Sequence, residues 1–211
     1  MTMNEAIFSV GKYALEAART FNPGLRCQDR LVNAALGLCG ELAELSVADS
    51  VEEITNEAGD VLWYLNQAAH GLGILLSDVT AGPDFSTFDA LVAEEVERGE
   101  HNYLSPGTVE RRAARRAGAF ADMVKKHVMH GKALDPAAAL GCLKTVLVCV
   151  SIRLILVRVP GGLAAVAGHN AHKLRMRYPD GFRRADAAEA PGACLCTPDP
   201  DRACPVHGGA S

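Results

Sequence analysis

No stretch of the first 180 residues alternates apolar and polar residues with period two. Apolar residues recur instead at helical spacing, and Pro and Gly interrupt them at Pro23-Gly24, Gly82-Pro83, Pro106-Gly107, Pro136 and Pro160-Gly161-Gly162. The spacing predicts helices over 4–20, 29–47, 51–77, 85–98, 106–131, 136–158 and 162–177, and hence an all-α helical bundle. Ser105-Pro106 and Asp135-Pro136 read as N-caps followed by first-turn prolines. A chain of 211 residues can bury one good core, or two half-domains that share one.

Four carboxylates then narrow the chemistry. They form two pairs, Glu41-x-x-Glu44 and Glu57-x-x-Asp60, with twelve residues between the pairs. An i,i+3 spacing puts both members of a pair on one helical face, ~4.5 Å apart along the axis. Twelve residues suffice for one helix to end, turn and begin an antiparallel partner. Four acids would then converge between two helices, where like charges resist ionisation unless a cation sits among them. Acids at this spacing are also common on solvated faces. Here, however, Glu41 and Glu44 are interleaved with Leu38, Leu42 and Leu45, and Asp60 runs into Val61-Leu62-Trp63-Tyr64-Leu65. Carboxylates in such segments need compensation. Oxygen-only ligands favour Mg²⁺ or Mn²⁺ over zinc or copper.

A faint internal repeat relates Gly40-Glu41-Leu42-Ala43-Glu44-Leu45 to Gly118-Ala119-Phe120-Ala121-Asp122-Met123. In the second copy Ala119 replaces Glu41, and neither Lys144 nor Leu147 restores the second acid pair. The expected organisation is a helical half over 1–80 with the acids, a connector over 81–117, a second half over 118–184, and a tail over 185–211. Chance similarity between two helices is the alternative to a duplication.

The run Gly37-Leu38-Cys39-Gly40-Glu41-Leu42-Ala43-Glu44, followed by Glu57-Ala58-Gly59-Asp60-Val61-Leu62-Trp63-Tyr64-Leu65, resembles the MazG-like all-α nucleoside triphosphate pyrophosphohydrolases. Tyr13 to Thr20 is similar to that family's opening helix, and Asn170 to Phe182 to its closing segment. Lys125-Lys126-His127-x-x-His130-Gly131-Lys132 is similar to a basic stretch that normally follows the first acidic pair. In typical members all these pieces lie within about one hundred residues, whereas here the basic pieces fall at 125–132 and 170–178. The resemblance therefore implies a fused pseudo-dimer, one half supplying metal ligands and the other phosphate-binding groups. It also implies hydrolysis of a (deoxy)nucleoside triphosphate to a monophosphate and pyrophosphate, with Mg²⁺ held by Glu41, Glu44, Glu57 and Asp60. Glu41 or Glu44 would accept the proton of the attacking water. Lys125, Lys126, Lys132, Lys173 and Arg177 are the expected phosphate ligands, and Asn170 the reader of a sugar hydroxyl or base edge. Trp63 and Tyr64 either flank the base or are plain core. The lysine cluster is equally a solvated helix end. Homo-oligomers are expected from the same resemblance. A catalytically silent nucleotide-binding or sensor protein is the competing expectation, because the motifs are divided.

The rest of the chain adds limits. A net charge of −4 gives no general attraction to nucleic acid or anionic membranes. The run Glu110-Arg111-Arg112-Ala113-Ala114-Arg115-Arg116 lacks interleaved aromatics, so a solvated face or ion pairs to Glu94, Glu95 and Glu97 are expected rather than nucleic acid. Thr145 to Ile152, flanked by Lys144 and Arg153, is too short for a membrane span and reads as a buried helix, and no basic, apolar leader opens the chain. Seven cysteines, four of them scattered singly, suggest reduced thiols and a cytoplasmic protein (in a host's cytoplasm for a phage-encoded chain). The tail holds Cys194-x-Cys196 and Cys204-x-x-His207. These make a full tetrahedral set for structural Zn²⁺ in a short knuckle, the alternative being a disordered thiol-bearing tail.

Overall fold

A computed structural model describes residues 9–99 and 105–182. The described residues form eight helices and no strand: α1 Val10–Ala18, α2 Cys27–Val47, α3 Val51–Leu72, α4 Leu76–Thr80, α5 Phe85–Glu97, α6 Pro106–His130, α7 Pro136–Leu156 and α8 Gly162–Arg177. The expected helices match these closely. The exceptions are the first helix, expected from residue 4 but begun at Val10 behind its N-cap Ser9, with residues 4–8 outside the described ones, and the segment 51–77, which breaks at Gly73, where φ is 71°, before α4 begins. An L side chain resists that left-handed conformation, so the helix stops there.

Local chemistry fixes the hairpin that matters most. Between α2 and α3 lie only Ala48, Asp49 and Ser50. The Ser50 hydroxyl accepts the Glu53 N–H at 3.1 Å, and the Glu53 carboxylate accepts the N–H groups of Ser50 and Asp49 at 3.1 and 3.0 Å. This reciprocal capping forces a new helix to start at Val51, so α3 returns along α2. Asp135 caps α7 similarly, accepting from Ala137 and Ala138 at 3.0 and 3.1 Å, with Pro136 in the first turn.

The α2–α3 and α6–α7 hairpins pack on each other through α2 against α6 and α3 against α7. α8 lies across α3 and meets α1. Leu42 and Phe120, matched in the internal repeat, are both buried, one on α2 and the other on α6. One connected apolar core draws on all eight helices, and α6 runs unbroken through residues 117 and 118. The boundary expected there therefore falls inside a helix. α7 has the length and composition of a membrane span, yet 56% of its most apolar window is buried within the fold. Cys27, Cys39, Cys142 and Cys149 are free thiols.

α8 is held at its start by Asp89 of α5, whose carboxylate accepts the Leu163 N–H at 2.7 Å and the Ser151 hydroxyl at 2.5 Å. That contact sets the position of the helix bearing Asn170 and Lys173. The closing segment is held too. Arg19 donates to the Pro179 carbonyl at 2.9 Å, Phe182 N–H to the Arg19 carbonyl at 3.0 Å, and Arg175 pairs with Glu16 at 3.1 Å. Cys194, Cys196, Cys204 and His207, the expected zinc ligands, lie outside the described residues.

Candidate metal centre and adjoining cleft

The helical hairpin brings three of the four acids together. One carboxylate oxygen from each of Glu41, Glu44 and Glu57 lies within 4.8 Å of the other two. Among the described residues no lysine or arginine forms an ion pair with any of the three. Asp60 differs. Its two oxygens accept from the Lys173 ammonium, each at 2.7 Å, and Oδ1 also accepts from the Asn170 amide at 3.0 Å. Asn170 is fully buried, and its own Oδ1 accepts the hydroxyl of the equally buried Tyr13 at 2.9 Å. A string Tyr13–Asn170–Asp60–Lys173 therefore runs from the core to the acidic cluster.

Two glycines allow this closeness. A Cβ on Gly37 would sit 2.1 Å from the Tyr64 ring, and one on Gly59 would sit 2.9 Å from Asn170. A larger residue at 37 must displace the Tyr64 ring, and one at 59 must displace the Asn170 side chain.

The charges register in the titration of the site. Glu41 is raised to about 7, by burial first and then by Asp60, Glu44 and Glu57, with Lys173 opposing. Glu57 is raised by burial, Asp60 and Glu44. Burial first, and then Glu41, Asp60 and Glu44, raise the Tyr64 phenol. The cluster thus resists holding its full negative charge unless a cation joins it. An all-oxygen set of this kind fits a hard divalent ion, for which Glu41, Glu44 and Glu57 are the available ligands.

A stability prediction follows, with a definite sign. An unfolded Glu loses its proton near pH 4.5 and folded Glu41 near 7, so between those values the folded state holds more protons. Without divalent ions the melting temperature should fall as pH rises through this window, with Glu57 adding in the same direction. Mg²⁺ binds the ionised carboxylates, so its stabilising effect should be small near pH 5 and several degrees near pH 8. Thermal melts in chelator and in millimolar Mg²⁺ measure this. Equal shifts at both pH values, or none, would argue against a cation site here.

Two of the four acids reach an open cleft of about 470 Å³. Glu41 and Asp60 belong to its wall, as do Trp63, Tyr64, Asn33, Gln67, Arg177 and Tyr178. Trp63 donates through its indole N–H to the Thr20 hydroxyl at 2.8 Å and makes edge contacts with Phe21 and Tyr64. No family model, curated protein or solved structure matches this chain.

Several expected ligands are elsewhere. Lys125 and Lys126 both pair with Asp122 on their own helix, at 2.6 and 2.5 Å, and Lys132 follows the C-terminal cap of that helix, its carbonyl bonded to His127. None of the three lines the cleft: Lys125 and Lys126 are exposed on α6, and Lys132 is exposed beyond its end. Asn170 has both ends of its amide engaged inside the protein, so it holds Asp60 and does not face a sugar or base. Lys173 is bound to Asp60, which leaves Arg177 as the cation lining the cleft. Glu94 is taken by Arg98 at 3.6 Å, and Glu110 lies 3.4 Å from Arg153. Arg111, Arg112 and Arg115 face solvent.

Asn33, Gln67 and Tyr13 were not among the residues the sequence singled out for the site. The first two were detectable. Asn33, Gly37, Glu41 and Glu44 form one stripe of α2, and Glu57, Asp60, Tyr64 and Gln67 one stripe of α3. Extending the acidic pairs toward the far end of the hairpin reaches both amides.

Proposed function

We propose that this chain is a Mg²⁺-dependent pyrophosphohydrolase acting on a (deoxy)nucleoside triphosphate. The observation that carries the reading is a cluster of three carboxylates, of which Glu41 also belongs to the wall of an aromatic-lined cleft large enough for a nucleotide. The resemblance of the acidic pairs and closing segment to MazG-like enzymes supports the same reading. Glu41, Glu44 and Glu57 would hold the ion, with Asp60 beside them in the grip of Lys173 and Asn170. Bound Mg²⁺ supplies Lewis-acid polarisation of a phosphoryl oxygen, charge neutralisation of the departing pyrophosphate and a more acidic water. The chain's own groups do the rest. Arg177 offers a planar fork suited to outer phosphate oxygens, and Trp63 and Tyr64 offer apolar surface for a base.

Incubation with a panel of nucleoside triphosphates and Mg²⁺, followed by phosphorus NMR, tests the proposal. Monophosphate and pyrophosphate should appear in equal amounts from at least one substrate. Orthophosphate with diphosphate, or no product at all, would refute it. One observation favours a second reading, that of a silent nucleotide-binding protein: the lysine-rich end of α6 is not in the cleft, leaving few cations for the phosphates. Binding without pyrophosphate release is the signature of that alternative.

A further inference from the structure

Gln67 is 1% exposed, a setting in which side-chain amides normally have all their polar atoms satisfied. It makes one hydrogen bond to the described protein, accepting the Asn33 amide N–H at 2.6 Å. Its own amide nitrogen has no partner among the described residues, although Gln67 and Asn33 both belong to the wall of the cleft. The Asn33 carbonyl oxygen likewise has no donor among the described residues, at a position that solvent reaches. Joined to each other, the two amides leave one amide NH2 and one amide carbonyl oxygen without a partner among the described residues. Exchanging O and N in both amides preserves that outcome, since the shared bond still consumes one donor and one acceptor.

From this geometry we infer that the Asn33–Gln67 pair is a base-reading subsite, which distinguishes bases by the order of donor and acceptor along the edge, opposite in the amino bases adenine and cytosine and the oxo bases guanine and thymine. This rests on the nucleotide reading above and extends it from the phosphate end to the base end. Both residues continue the stripes that carry the acids, so the amides and carboxylates lie along the same two helices. The acids would meet the triphosphate and the amide pair the base, with Trp63 and Tyr64 between them along α3. The hydrogen bond from Asn33 to Gln67 fixes each amide plane before a ligand arrives, and a preformed edge discriminates between bases more sharply than mobile side chains do. A buried polar group that the correct base satisfies and a wrong base leaves unpaired penalises the wrong base.

The test measures binding, separately from turnover. Trp63 is the sole tryptophan of the chain and lines the cleft, so its fluorescence reports occupancy. Non-hydrolysable α,β-imido nucleoside triphosphates of the four common bases are titrated with Mg²⁺, and inorganic tripolyphosphate is titrated calorimetrically as the base-free control. Wild type should prefer one base over the weakest by about tenfold or more. Gln67→Met, close in shape and lacking the amide, should weaken the preferred base by roughly tenfold and flatten the preference. Its affinity for tripolyphosphate should stay within about twofold, since the phosphate end is untouched. Asn33→Asp, at a half-exposed position, serves as a second variant should Gln67→Met fail to fold. It replaces the mixed edge with acceptors alone and should change the order of base preference. Unchanged base selectivity in a folded variant overturns the subsite while leaving the nucleotide reading intact. Equal loss of every ligand, tripolyphosphate included, also overturns it, because the pair would then act on the fold and not on the base. Absence of binding by every triphosphate to wild type overturns both.

Discussion

Glu41→Gln is expected to lower Mg²⁺-dependent pyrophosphate release by roughly a hundredfold or more, while the metal-free protein becomes more stable. The two effects have one cause. Glu41 sits among Asp60, Glu44 and Glu57 and is pushed up to about 7 by burial and by their charge. Glutamine keeps the shape, removes the charge and ends the repulsion that the fold sustains near neutral pH. On the proposed reading it also removes one of three metal ligands, and an ion held by two carboxylates is held poorly. Glu41 is about half-buried, so solvent screens part of the repulsion, and the gain should be about 1 kcal/mol, or roughly 2–4 °C in melting temperature. The substitution should also flatten the fall in melting temperature across the pH window described above. Asp60→Asn is the instructive contrast, because Asp60 accepts the Lys173 ammonium and its loss should lower the melting temperature. A mutant that merely misfolded would lose activity and stability together. Full turnover by a folded Glu41→Gln protein would remove the case for a cation-assisted hydrolase.

How far the chain announced this site differs by residue. The acid pairs were legible because two rules coincide there: i,i+3 spacing sets the face, and a three-residue turn sets the return. Helix ends at Ser105-Pro106 and Asp135-Pro136 were legible for similarly local reasons. Partner choice was not. Lys125, Lys126 and Lys173 are all cations near helix ends, and spacing alone gives them equal standing. Their fates differ because Asp122 lies one turn from Lys125 and Lys126, whereas Lys173 meets an acid 113 residues away. Asn170 likewise looks like a ligand-reading amide in sequence. It is a buried strut because Gly59 lets α8 approach α3 so closely. Long-range pairing of this kind depends on how α8 is laid down, and α8 is positioned by Asp89, a residue with no motif around it.

That strut supports the second large expectation: Asn170→Ala should destabilise the fold by about 2–4 kcal/mol. Three losses combine. The buried Tyr13 hydroxyl loses its acceptor, Asp60 loses an amide donor, and a cavity opens where Asn170 fills the space above Gly59. At roughly 2–4 °C per kcal/mol for a chain of this size, the melting temperature should fall by about 5–15 °C. Asn170→Asp should be no milder, because it sets a second carboxylate against Asp60 and still deprives Asp60 of the amide. Much of the cost traces to the stranded Tyr13 hydroxyl, so removing that group as well should restore part of the stability. The double variant Tyr13→Phe with Asn170→Leu replaces a buried hydrogen-bonded pair with apolar side chains of similar size, and it should recover a good part of what Asn170→Leu alone loses. Its turnover should not recover, because Asp60 would still lack the amide that holds it beside the acidic cluster. Urea denaturation of the two single variants and the double variant measures the coupling. Simple additivity of the single-variant losses would mean that Tyr13 and Asn170 act independently, and that the string from the core to Asp60 transmits no stability.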